Sequence, residues 1–110
     1  MDVFTAVADP NRRTLMQLLR DGERPAGELV AALPRLTQPA VSRHLRVLRE
    51  ARLVSARADG QRRVYRLEPS GFAEIERWLR HYTTFWAPVL DSLQDHLDQP
   101  DPAPRRGEKQ

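Results

Sequence analysis

The stretch that decides the fold is Thr37-Gln38-Pro39-Ala40-Val41-Ser42-Arg43-His44-Leu45-Arg46-Val47-Leu48-Arg49-Glu50-Ala51. At about 100° per residue, Val41, Leu45 and Leu48 fall on one side of a helix. Ser42, Arg43, Arg46 and Arg49 fall on the opposite side or its flank. The spacing therefore predicts an amphipathic helix with one side to bury and a basic outer face. Thr37 can cap its free backbone N–H groups, and Pro39 suits the first turn, where its missing N–H breaks no helical bond.

Beyond this helix, residues 53–58 and 62–67 have strand character. Asp59-Gly60-Gln61 between them reads as a hairpin turn, because glycine tolerates positive φ. Alternation sets Arg62, Val64 and Arg66 on one face and Arg63, Tyr65 and Leu67 on the other, with Tyr65 and Leu67 expected to pack inward. Toward the N-terminus, Pro25 is expected to open a third helix with Leu29, Val30 and Leu33 as its apolar side, and Pro34 ends it. Asp9-Pro10 starts the second helix, which carries Leu15, Leu18 and Leu19 until Asp21-Gly22 stops it. Val3, Phe4 and Val7 sit at helical spacing in a short first helix. Pro69-Ser70 opens a long C-terminal helix that Pro88 is expected to kink or restart. Residues 98–110 hold three prolines and no large apolar side chain, and read as a disordered tail. The expected architecture is mainly α with a small β-hairpin, in the order α-α-α-α-β-β-α, as one domain over residues 1–97. A short helix pair with a tight turn, followed by a hairpin, describes a winged helix-turn-helix.

The 110 residues carry a formal net charge of +3. Residues 1–67 hold 13 Arg against 7 Asp and Glu, whereas residues 68–110 hold 5 Lys and Arg against 8 acids. A basic front and an acidic back point to a polyanion met by the first part alone. Cysteine is absent, which excludes disulfides and thiolate metal sites. No apolar run is long enough to span a bilayer, and the N-terminus has neither a basic segment nor a long apolar one. A cytoplasmic protein without a membrane partner is the expectation.

An α-helix fits the DNA major groove, about 12 Å wide. Gln38 can pair bidentately with adenine, Arg43 with guanine, and Ser42 with several donors or acceptors. Arg46 and Arg49 lie further along and suit phosphates, which set affinity and register. Thr37 and Pro39 belong to the same leading turn. Around the hairpin tip, Gly60, Arg62 and Arg63 are the candidates for a neighbouring minor groove. His44 reads as a packing histidine with one satisfied nitrogen, the other reading being a base or phosphate contact. Along the last helix, Ile75, Leu79, Tyr82, Trp86, Val89 or Leu90, Leu93 and Leu97 form a continuous apolar stripe. So small a chain cannot cover all of it. A second copy of the chain is the expected partner, joined by Val3, Phe4 and Val7, with Phe72 and Trp78 assigned to the chain's own core. Two recognition helices would then lie about one DNA turn, ~34 Å, apart on a palindrome.

The segment from Gln38 to Ala51, followed by Leu53-Val54 and by Asp59-Gly60-Gln61-Arg62-Arg63-Val64-Tyr65-Arg66-Leu67, resembles the recognition helix and wing of the ArsR family of transcriptional repressors. The likeness runs from about Phe4 to about Leu97. Phe85-Trp86 and Leu90-Asp91-Ser92-Leu93 are similar to a branch that lacks the metal-binding cysteines and often represses its own operon. The resemblance implies a homodimeric, DNA-binding repressor. The family's metal sensors use cysteines in the third helix or Asp/His pairs in the last. Here the third helix reads Ala26-Gly27-Glu28-Leu29-Val30, and His81, Asp91, Asp95 and His96 do not fall into that pattern, so neither metal nor cofactor is expected. The turn Leu33-Pro34-Arg35-Leu36-Thr37 is one residue longer than usual for the family. An enzyme is not expected: Ser42 and His44 point to different sides of a helix, and no phosphate loop or nucleophile elbow occurs. The competing reading is a winged-helix module that binds another protein and no specific DNA. An inducer is not legible.

Overall fold

The computed structural model describes residues 1–98, so the tail expected over 98–110 lies outside it apart from Asp98. The elements are α1 (Val3–Ala8), α2 (Pro10–Leu18), β1 (Arg24–Pro25), α3 (Ala26–Ala31), α4 (Gln38–Glu50), β2 (Val54–Asp59), β3 (Arg62–Leu67) and α5 (Pro69–Asp98). The chain divides into two compact units, the first spanning Met1–Arg77 and the second beginning at Trp78.

Side-chain caps set where the helices start. Asp9 Oδ1 accepts from the backbone N–H groups of Asn11 (2.8 Å) and Arg12 (3.2 Å), with Pro10 in the first helical position of α2. Burial works against the Asp9 carboxylate, but these two N–H groups, with the charge of Arg12, hold its pKa below the usual range. Thr37 Oγ1 accepts from Ala40 N at 3.2 Å and opens α4.

The end of α4 is a Schellman motif: Leu53 N donates to Leu48 O (2.9 Å) and Arg52 N to Arg49 O (3.0 Å). That geometry puts Arg52 at φ 61°, in the left-handed region.

Three expectations are corrected here. Pro25 does not open the third helix. It pairs with Val64 across β1 and β3 while Arg24 pairs with Tyr65, and α3 begins at Ala26. The hairpin is therefore part of a three-stranded antiparallel sheet in the order β1-β3-β2. Proline is tolerated because β1 is an edge strand. Secondly, Val64 is buried as well as Tyr65, although alternation grouped it with two exposed arginines. β3 is the central strand, so the Val64 side chain stands between those of its cross-strand partners Pro25 and Arg57 on the same face of the sheet. Thirdly, of the two outcomes expected at Pro88 the restart does not occur, since α5 is a single helix with Pro88 inside it.

The core of the first unit is built from Val3, Ala6, Leu15, Leu19, Leu29, Val41, Leu45, Leu48, Leu53, Val54 and Tyr65. Fully burying one such leucine or valine contributes about 1.5–3 kcal/mol of transfer free energy. Val41, Leu45 and Leu48 are at most 1% exposed, so the apolar stripe of α4 lies where its period puts it. Val3 belongs to this core, which removes it from the dimer contacts expected of the first helix. Helical geometry turns its neighbour Phe4 outward, and Val7 is half-buried against the core. Phe72 and Trp78, expected inside, are exposed.

Candidate nucleic-acid interface

Because α4 sinks Val41, Leu45 and Leu48, its other face must meet solvent. Gln38, Pro39, Ser42, Arg43, Arg46 and Arg49 are all exposed, as is Thr37 at the cap. At 1.5 Å per residue the polar face from Gln38 to Arg49 is roughly 16 Å long. Gln38 and Ser42 also border a shallow notch whose other wall is Ala26, Gly27 and Val30 of α3. Small side chains on that wall leave the leading end of α4 unobstructed.

The wing tip turns at Gly60, with φ 63°. Arg62 and Arg63 are exposed beside it. They differ in charge pairing. Arg62 Nη2 donates to Asp59 Oδ2 at 2.8 Å across the turn, which holds the Asp59 carboxyl below its usual pKa. No ion pair engages Arg63 among the described residues. Arg63 is thus the readier of the two to meet a phosphate. Lower on the sheet, Arg57 pairs with Glu23 and ties β2 to the loop before β1. The structure brings the α4 residues onto one face and the wing residues onto one hairpin tip, all within the first unit.

The sequence reading missed Arg12. The residue is 9% exposed, and its guanidinium reaches Ala6 O (2.7 Å), Thr5 O (3.2 Å) and His44 Nδ1 (3.2 Å). A charged residue on the same side of α2 as Leu15 and Leu19 was the available signal. His44 is half-buried with its Nδ1 engaged, which fits the packing reading.

The stripe expected to meet a second copy is exposed. Leu79, Tyr82, Trp86, Val89, Leu90, Leu93 and Leu97 each show at least 40% of their surface. Among the described residues no group of three or more His, Cys, Asp or Glu side chains is placed to hold a metal, and no helix is long and apolar enough to cross a membrane.

Residues 9–56 match the family model described as bacterial regulatory protein, arsR family. The chain is 43% identical over 96 residues to the HTH-type transcriptional regulator Rv2034 of Mycobacterium tuberculosis, covering 84% of this chain and 89% of that protein. It is 30% identical over 81 residues to the transcriptional repressor SdpR of Bacillus subtilis, covering 74% and 89% respectively. A crystal structure described as a possible transcriptional regulator for arsenical resistance superposes with a TM-score of 0.68 at 40% identity, over 92% of this chain and 99% of that one. These are regulators rather than enzymes. With the α3–α4 pair, the wing and the matching sequence in place, the chain belongs to the ArsR family and is a winged helix-turn-helix transcriptional regulator.

Proposed function

We propose that the chain is a sequence-specific repressor that binds a palindromic operator in double-stranded DNA as a homodimer, its own promoter region included, and acts in the cytoplasm. The observation that carries this reading is the exposed Gln38–Arg49 face of α4 above a fully buried stripe. Gln38, Ser42 and Arg43 read base edges. Thr37 and Pro39 shape the leading turn, Arg46 and Arg49 hold phosphates, and Gly60, Arg62 and Arg63 bring the wing to the neighbouring groove. The name of the relative SdpR, a transcriptional repressor, supports the sign of regulation.

Selection of bound duplexes from a random pool tests the reading. The expected product is a palindrome with half-sites about one turn apart. On that duplex Arg43→Ala is expected to lose ~1–3 kcal/mol at one base pair of each half-site and little elsewhere. Equal loss across all operator variants would make Arg43 a phosphate contact, and no enriched sequence at all would end the repressor reading in favour of a protein-binding module.

The dimer is assigned to the exposed stripe of Leu79, Tyr82, Trp86, Val89, Leu90, Leu93 and Leu97, with Phe4 of α1 as a separate contact. Monomers rarely leave so much contiguous apolar surface to water. Sedimentation equilibrium is expected to give twice the chain mass, and Trp86→Glu with Leu93→Glu to give a monomer that no longer protects both half-sites. A wild-type monomer with a full footprint would remove the dimer from the mechanism.

A further inference from the structure

The notch between α3 and the leading end of α4 is apolar where it is deepest. Its volume is about 240 Å³, and it is lined by Ala26, Gly27 and Val30 of α3 and by Gln38, Ser42 and Leu45 of α4. Leu45, 1% exposed, forms the floor. The α3 wall has no polar side chain, so Gln38 and Ser42 at the rim are the lining side chains able to hydrogen-bond. These two stand one turn apart, roughly 6 Å along α4. Successive bases lie about 3.4 Å apart along a strand. Base edges held by Gln38 and Ser42 therefore bring their neighbours to the mouth of the notch. Gly27 borders that mouth in a helix, where glycine is a poor occupant. Neither backbone nor crowding demands it: its φ is not positive, and nothing lies within 4 Å of where a Cβ would stand. What its missing side chain does is leave the entrance clear.

We propose that this notch is a pocket for the C5 methyl group of a thymine, so that one position of each half-site is read through apolar contact with Ala26, Val30 and Leu45. Guanine, cytosine and adenine show only donors and acceptors to the major groove, and thymine alone adds an apolar group. A donor or acceptor turned toward the notch loses water and gains no side-chain partner from α3 or from Leu45, which is costly. The methyl loses no hydrogen bond there and removes apolar surface from water. The pocket rests on the base contacts proposed for Gln38 and Ser42, and it makes α3 a second source of sequence preference.

Deoxyuridine lacks this methyl and is otherwise thymidine, so it isolates the contact. In the duplex selected from the random pool, each thymine of a half-site is replaced in turn by deoxyuridine, and affinity is measured by fluorescence anisotropy. Replacement at the pocket position is expected to weaken binding about fourfold for each half-site altered, which is what burying one such carbon contributes. Gly27→Leu fills the notch with a side chain that starts in open space and favours the helix, so this variant is expected to melt no lower than the wild type. It should bind the thymine and deoxyuridine duplexes equally at that position. Val30→Thr keeps the shape of the wall but adds a hydroxyl, and should shrink the same penalty if leucine blocks the duplex altogether. A half-site without thymine, wild-type indifference to every replacement, or a penalty that both variants leave at full size overturns the pocket, while the selected palindrome keeps the repressor reading intact. Failure to enrich any duplex ends that reading and the pocket with it.

Discussion

Replacing Gly71 with alanine is expected to lower stability by about 1–3 kcal/mol, the range for forcing a methyl group into filled space. A Cβ at this position would lie 2.5 Å from Arg52 O and 2.7 Å from Ala51 O. Both obstacles are backbone, and both belong to the Schellman turn that ends α4, so neither can swing aside. The Gly71 N–H also donates to Arg52 O at 2.8 Å, a bond that is lost if α5 backs away. Intrinsic helix propensity predicts the opposite sign, since alanine is favoured over glycine in a helix by ~1 kcal/mol. Urea unfolding therefore distinguishes the two cleanly. A lower midpoint at unchanged slope supports the close approach of the first turn of α5 to the end of α4, and a higher midpoint refutes it. Amide exchange near Ser55 and Glu68 should quicken in the same variant, because the junction beside them loosens.

Residues at a local period were legible from the chain alone. Val41, Leu45 and Leu48 sit on one side of one helix whatever the rest of the molecule does, and their burial forces Ser42 and Arg43 outward. The Gly60 turn was equally local. What escaped depends on contacts between distant segments. Two residues cannot show periodicity, so β1 emerged only from its pairing with Val64 and Tyr65. Val3 and Phe4 are both apolar and adjacent, and apolarity does not say which of two neighbours about 100° apart meets the core. The same ambiguity misplaced Phe72 and Trp78, since an apolar side chain on a surface helix serves a partner as readily as its own core. In the wing, the tie between Arg62 and Asp59 spans a turn that was recognised, yet its effect on the free charge of Arg62 needed the side-chain geometry. The left-handed backbone of Arg52 and the crowding at Gly71 are two sides of one junction, and neither leaves a pattern in a single sequence.

Replacing Arg12 with methionine is expected to destabilise the first unit by about 3 kcal/mol, given that hydrogen bonds to charged groups contribute about 1.5–3 kcal/mol each and do not simply add. The guanidinium serves carbonyls of Thr5 and Ala6 from the last turn of α1, which have no partner within that helix. Its third contact reaches α4: arginine has no acceptor, so His44 Nδ1 must accept, which puts the ring proton on Nε2. One buried fork thus joins α1, α2 and the helix that carries Arg43. Methionine keeps much of the apolar stem but leaves the two carbonyls dry and the Asp9 carboxylate without its cation. The melting temperature should fall by roughly 10–15 °C. Lysine should recover only part of the loss, because a single ammonium cannot reach three acceptors that the guanidinium meets through three separate nitrogens. Amide exchange resolves the mechanism: α1 and the first turns of α4 are expected to open together in the methionine variant, whereas a purely packing role for Arg12 would loosen α2 first. A drop of less than about 0.5 kcal/mol, ordinary for an exposed site, would mean that water replaces the fork and that α1 is held to α4 by apolar contact alone.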